Sequence, residues 1–173
     1  DVSFDEDGSG SLSLSASDVD EGDSATFSIS GGTDITATLS GSDLNFSAPE
    51  NFNGSETFTA SVTDGELTDS QSFTVTVLAV NDAPVATTGL SGTGDEDQSI
   101  SVLLSGSDVD GDVLTYSITS DPTNGTIEIS GSNAVYTPTA NYNGDDSFEF
   151  TVTDSDDDTP LSDAASVSLT VNA

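Results

Sequence analysis

Apolar and hydroxyl-bearing residues alternate along several short runs of the chain. Phe58, Ala60 and Val62 stand between Thr57, Thr59 and Ser61, and Phe73, Val75 and Val77 enclose Thr74 and Thr76. The same order returns as Phe148, Phe150 and Val152, then as Val167, Leu169 and Val171. A period of two turns the apolar set to one face and the Ser/Thr set to water, so these runs predict β-strands covered on one side. Further strands are predicted around Leu12–Leu14, Phe27–Ile29, Ile35–Leu39 and Leu44–Phe46, with counterparts in the second half. No segment carries a helical period. Ser40-Gly41-Ser42, Ser130-Gly131-Ser132 and Asn124-Gly125 read as hairpin turns, because Gly and Asn tolerate positive φ.

The runs repeat at an offset of 90 residues. Leu39-Ser40-Gly41-Ser42 aligns with Ile129-Ser130-Gly131-Ser132, Asn51-Phe52-Asn53-Gly54 with Asn141-Tyr142-Asn143-Gly144, and Val62-Thr63-Asp64 with Val152-Thr153-Asp154. An internal repeat of this length is one folding unit written twice. Six or seven short strands per unit predict an all-β chain of two tandem immunoglobulin-like Greek-key sandwiches. The boundary is placed at Asn81-Asp82-Ala83-Pro84, since Pro84 lacks a donor and suits a linker or a strand entrance. The expected units are residues 1–80 and 81–173. Asp1 corresponds to Ser91, so the first unit is expected to lack an entering linker and a first strand, and both ends are expected to be breaks in a longer array.

Composition then narrows the chemistry. The chain has 32 Asp and Glu, no Lys, Arg or His, and a formal charge of -32. Phosphate binding needs cationic side chains, so nucleic acid and anionic membrane surfaces are excluded as partners. No apolar stretch approaches the ~20 residues of a membrane-spanning helix, so no membrane insertion is expected in this segment. With neither Cys nor His, the usual zinc and copper ligand sets are excluded, while oxygen ligands suit Ca²⁺ or Mg²⁺. There is no His, Lys or Cys to act as base or nucleophile, so no enzyme is expected.

The carboxylates cluster in a repeated order. Asp5-Glu6-Asp7 followed by Asp18-Val19-Asp20 returns as Asp95-Glu96-Asp97 followed by Asp108-Val109-Asp110. In an extended loop, residues i and i+2 turn both carboxylates toward one ion, and calcium takes 6–8 oxygens. Asp64 and Asp154 each close a strand, and Asn81 and Asp82 stand in the linker, where they add further oxygen ligands. One acidic turn alone is ordinary surface. Two in register, beside an Asn-Asp-x-Pro linker in a chain without bases, favour a divalent cation. Asp154, Asp156 and Asp158 have EF-hand spacing, but Thr159 and Ala165 stand where that loop needs Gly and Glu.

The linker NDAP, the DED, the SDVDGD, the NYNG and the VTD together resemble the cadherin-like tandem repeats of large bacterial surface adhesins and exported repeat proteins. The resemblance covers nearly the whole chain. It implies Ca²⁺ at the junction of successive domains, stiffening the array. The central junction would draw on Glu6 and Asp7, with Asp5 near them, on Glu56, and on Asn81, Asp82, Asp108, Asp110 and Asp154. Asp18, Asp20 and Asp64 would form a partial site toward a preceding linker. Glu96, Asp97 and Asp146, with Asp95, would form one toward a following linker. The implied function is a calcium-binding extender module of a cell-surface or secreted adhesin. The alternative is a calcium-dependent module that binds carbohydrate or protein. The implied partners are neighbouring repeats of the parent chain, and polysaccharide or another cadherin-like domain; the implied location is extracellular or the cell surface.

Overall fold

A computed structural model describes residues 1–17, 24–156 and 160–173. Among these residues the strands run from β1 to β16, with no helix and hence no helix able to cross a membrane. The chain divides into two units, Asp1–Val80 and Asn81–Ala173.

The first unit contains β1 (Val2–Asp5), β2 (Ser9–Ser13), β3 (Thr26–Gly31), β4 (Thr36–Ser40), β5 (Asp43–Ser47), β6 (Gly54–Thr63) and β7 (Thr68–Leu78). They form two sheets, ordered β1-β7-β6-β3 and β2-β5-β4. The chain changes sheet between β1 and β2, between β2 and β3, between β3 and β4, and between β5 and β6, which makes a Greek-key sandwich. Every pairing is antiparallel except β1 with β7, which runs parallel from Val2↔Val75 to Asp5↔Leu78. The alternation predicted for β5 appears as buried Leu44 and Phe46 between exposed neighbours. Phe46 meets Phe58 edge to face at 5.4 Å between ring centres. Burying one such ring contributes about 1.5–3 kcal/mol, so Phe46, Phe58 and Val75 anchor this core.

The second unit contains β8 (Val85–Ala86), β9 (Ser91–Asp95), β10 (Ile100–Leu103), β11 (Gly106–Ser107), β12 (Thr115–Ser120), β13 (Gly125–Ser130), β14 (Asn133–Pro138), β15 (Gly144–Thr153) and β16 (Ser162–Asn172). Its sheets are ordered β12-β15-β16-β9 and β10-β14-β13, and β8 pairs with β11. Strand β16 alternates without a break through buried Ala165, Val167, Leu169 and Val171. These join Phe148, Phe150 and Val152 of the neighbouring strand and Tyr136 of the other sheet in one cluster. The β8–β11 pairing has no counterpart among the described residues of the first unit.

The Ser-Gly-Ser turns are hairpins as expected. Gly41-Ser42 joins β4 to β5 and Gly131-Ser132 joins β13 to β14, with φ of 64° and 60° at the glycines. Gly at the first central position supplies the positive φ of a two-residue hairpin loop. Asn124-Gly125 differs. It lies between β12 and β13, which belong to different sheets, so it is a crossover and not a hairpin. Its glycine is needed for space: a Cβ there would lie 2.4 Å from the Tyr136 ring and 2.5 Å from the Thr137 carbonyl oxygen. Gly125→Ala is therefore expected to destabilise the second unit by about 1–3 kcal/mol, the usual cost of overpacking, as measured by urea unfolding.

Candidate metal centre

In the first unit the parallel β1–β7 pairing delivers Glu6 to the end of the sheet. Its N–H donates to the Leu78 carbonyl at 2.9 Å, and its Oε1 accepts the Val80 N–H at 2.6 Å. Glu6 is 5% exposed, and its Oε2 is buried without a hydrogen-bond partner. A buried carboxylate oxygen left this way is costly, because water's hydrogen bonds are lost and nothing replaces them. The neighbouring Asp7 binds a turn of its own unit. At φ 59° its Oδ1 accepts the Asn51 N–H, and Asp97 at φ 62° accepts the Asn141 N–H in the same way. The last Asp of each Asp-Glu-Asp thus fastens the turn before β6 or β15.

In the second unit four acidic positions gather around the start of the domain. Asp108 Oδ1 accepts the N–H groups of Asp110, Gly111 and Asp112 at 2.9, 3.1 and 3.3 Å, which folds the loop around one carboxylate oxygen. Its other oxygen, Oδ2, is buried without a hydrogen-bond partner. Asp110 Oδ2 accepts the Asp82 N–H at 2.8 Å, and Asp154 Oδ2 accepts the Asn81 side-chain amide at 3.0 Å. Asp154 is 4% exposed and also caps the turn into β16 by accepting the Leu161 N–H at 3.1 Å. The linker residues Asn81 and Asp82 are thereby tied to the loops at Asp110 and Asp154.

Asp112 belongs to this group and was not singled out from the sequence. Desolvation raises its carboxyl above the ordinary range, with the charges of Asp108, Asp154 and Asp110 adding to the rise and the Ser155 hydroxyl opposing it. Its signal lay in the final Asp of SDVDGD, two residues past Asp110. Among the described residues no three carboxylates are drawn close enough to hold an ion by themselves. The donor set is nevertheless all oxygen, and no basic side chain exists in the chain to neutralise it.

Other expected ligands hold backbone and side-chain donors of their own units. Glu56 accepts the N–H groups of Thr33, Asp34 and Ile35, which ties the β3–β4 loop to β6. Asp146 does the same for the β12–β13 loop, accepting the N–H groups of Thr123 and Asn124 and the Tyr136 hydroxyl. Asp64 Oδ1 caps its own turn by accepting from Glu66 and Leu67. Glu96 is partly exposed, its N–H bonded to the Asn172 carbonyl. The Asp95 carboxylate accepts the Asn172 side-chain amide. Asp18 and Asp20 lie outside the described residues.

These ties fix a pH dependence. Backbone donors from Asp34 and Thr33 lower the Glu56 carboxyl below its ordinary value, against some desolvation. Burial acts to raise Asp146, but the N–H groups of Asn124, Thr123 and Ser147 and the Tyr136 hydroxyl outweigh it and the net shift is downward. A lowered folded-state value gives stability that is full above the unfolded value and is lost as pH falls through the folded one. Thermal melts are expected to be flat near neutrality and to drop below about pH 4, the ordinary carboxyl range. A Glu56→Gln variant should lose part of that drop in the first unit.

Two sandwiches of this topology place the chain among the Ig-like β-repeat proteins. The sequence profile of the bacterial Ig domain matches residues 1–76 and again residues 81–170, so the chain belongs to that family twice over. No curated protein sequence matches it. Among solved structures, the EC1-2 fragment of human protocadherin-24 is 20% identical with a TM-score of 0.59, covering 94% of this chain and 87% of that one. Drosophila N-cadherin EC1-4 is 12% identical with a TM-score of 0.56, covering 98% of this chain and 46% of that one. At these identities the likeness establishes a cadherin-like fold. An endo-fucoidan hydrolase of glycoside hydrolase family 107 is 28% identical over 96% of this chain, but only 26% of that chain is covered and the TM-score is 0.38. This chain spans about a quarter of that hydrolase, and so low a score carries no argument about its activity.

Proposed function

We propose that the chain is a pair of extender modules from an exported bacterial surface protein or adhesin, and that Ca²⁺ binds where one module passes to the next. The observation that carries this reading is the pair of buried, unpartnered carboxylate oxygens, Glu6 Oε2 and Asp108 Oδ2, in a chain without a basic side chain. The chain path supports it too. Glu6 holds the N–H of Val80, and the next two residues, Asn81 and Asp82, contact Asp154 and Asp110. An ion taking oxygens from Glu6, Asp108, Asp110, Asp112 and Asp154 would replace like-charge repulsion, about 1–4 kcal/mol per pair at 4 Å, with attraction. Glu56, Asp146, Asp7 and Asp97 are left out of this set, since their oxygens hold the N–H groups of residues 33–35, 123–124, 51 and 141 rather than those of the linker.

Extracellular calcium modules bind at about 10⁻⁴–10⁻³ M. Such sites fill outside a cell and stay empty inside it, which suits a module that stiffens after export. The partners on this reading are neighbouring repeats of the parent chain. Small-angle scattering tests it: the profile in millimolar calcium should describe a narrower range of shapes than the profile in chelator. Superimposable profiles would sink the proposal.

A further inference from the structure

Both units leave the same side of the sandwich open. Strand β3 ends the order β1-β7-β6-β3 and β4 ends β2-β5-β4, just as β12 and β13 end the two sheets of the second unit. Among the described residues nothing pairs with the outer edge of any of these four strands. A cleft lies between the two edges, lined in the first unit by Phe27, Leu39 and Gly41 and in the second by Tyr116, Ile129 and Gly131. An unpaired edge offers a row of N–H and C=O groups to another strand, and proteins commonly blunt it with charge, proline or a bulge.

The second unit is blunted and the first is not. On β12 the register with β15 shifts between Ile118 and Ser120, and Asp121 and Pro122 follow at once. Strand β13 carries Glu128 at an exposed position. By contrast β3 reads Thr-Phe-Ser-Ile-Ser-Gly and pairs with β6 without a shift from Thr26↔Thr63 to Gly31↔Phe58. Strand β4 reads Thr-Ala-Thr-Leu-Ser. Neither holds a charge, a proline or a bulge, in a chain with 32 carboxylates. Phe27, Ile29 and Leu39 are partly exposed along this side.

We propose that β3 pairs antiparallel with β3 of a second copy, so that the sheet β1-β7-β6-β3 continues across a twofold axis. Charge selects this occupant. Two copies at -32 each repel wherever their carboxylates face, and an uncharged strand is where they approach with least repulsion. The sequence of the strand selects it as well. Pairing centred on Ser28 sets Ser28 opposite Ser28 of the second copy, Phe27 opposite Ile29 and Thr26 opposite Ser30. Apolar side chains then meet on the inner face and hydroxyls on the outer one, the arrangement that stabilises cross-strand pairs. The incoming Ile29 lies over the cleft beside Phe27 and Leu39. A contact made by the same surface on both copies closes at two. A strand of six residues buries less than the ~1,200 Å² at which standard interfaces begin, so the pair is weak and forms at high protein concentration.

Sedimentation equilibrium on the whole chain in chelator tests this pairing apart from any metal. At ~1 M salt, where the Debye length is about 3 Å, a dimer is expected at high micromolar concentration, weakening as salt falls. Ser28→Glu sets two carboxylates opposite each other and should weaken the dimer roughly fivefold or more. Ser117→Glu adds the same charge at the matching place on β12 and should leave it unchanged. The chain has no cysteine, so Ser28→Cys reports the register. Its two thiols face each other at a Cα separation of about 4.5–5.5 Å, inside the disulfide range of about 4.4–6.8 Å. Pairing raises their effective concentration, so oxidation should cross-link this variant about tenfold faster than Ser117→Cys. A chain that stays monomeric, with both cysteine variants cross-linking at one rate, would overturn the proposal. So would a dimer that Ser28→Glu leaves intact, since the contact would then lie elsewhere.

Discussion

Asp146→Ala should cost the second unit about 3 kcal/mol or more. Its Oδ1 accepts the N–H groups of Thr123 and Ser147, and its Oδ2 accepts the Asn124 N–H and the hydroxyl of the fully buried Tyr136. Hydrogen bonds to a charged group are worth about 1.5–3 kcal/mol each, and an unsatisfied buried donor costs about 1–3. Tyr136 keeps the Asn124 carbonyl at 3.1 Å as a second acceptor, so the losses do not add in full. Even so, 3 kcal/mol is a large share of the 5–15 typical of a domain. At about 4–8 °C per kcal/mol, melting should fall by more than about 10 °C. Asp146→Asn keeps the shape but turns an N–H₂ toward donors, so it should fall between wild type and Ala. A variant that melted normally but bound calcium more weakly would restore Asp146 to the ligands.

Calcium itself should produce the second large effect. At 100 times Kd, one site specific to the folded state adds about 2.7 kcal/mol. Asp108→Asn should remove most of that gain while costing little in chelator, because the amide oxygen still accepts from Asp110, Gly111 and Asp112. Glu6→Gln is the more telling variant, since Glu6 belongs to the first unit. If it weakens calcium binding by tenfold or more in calorimetric titration, the ion is shared along the chain. Unchanged binding in Glu6→Gln with loss in Asp108→Asn would confine the ion to the second unit.

Most of the fold is legible because alternation is a local signal. Phe148, Phe150 and Val152 announce their face without any knowledge of their partners, and the repeat doubles the evidence. The β8–β11 pairing spans two residues on each strand, too few to show a period. Gly125 was misread because a tight approach and a positive φ both select glycine, and only coordinates show that the Tyr136 ring is the reason.

The site was less legible, for a chemical reason. A carboxylate whose oxygens are filled by backbone donors and one that keeps an oxygen bare are the same residue in the same kind of acidic turn. What separates Glu56 from Glu6 is whether backbone donors from residues 33–35 reach both oxygens, a contact made across more than 20 positions of sequence. Within Asp-Glu-Asp the division is finer: Asp7 fastens a turn while its neighbour Glu6 keeps one oxygen bare. Asp112 continues the i, i+2 spacing of Asp108 and Asp110 by one step, and its nearness to them follows from the loop folded around Asp108 Oδ1.

The parallel pairing of β1 with β7, and of β9 with β16, determines how each sandwich meets tension. In either unit the strand near the start lies alongside the last strand, pointing the same way. A pull applied at the start of β1 and the end of β7, or at the start of β9 and the end of β16, drags these neighbours past each other lengthwise. The rungs from Val2↔Val75 to Asp5↔Leu78, and from Ser91↔Ser168 to Asp95↔Asn172, are then loaded together and not peeled one at a time. Loaded this way, each parallel patch is sheared along its length.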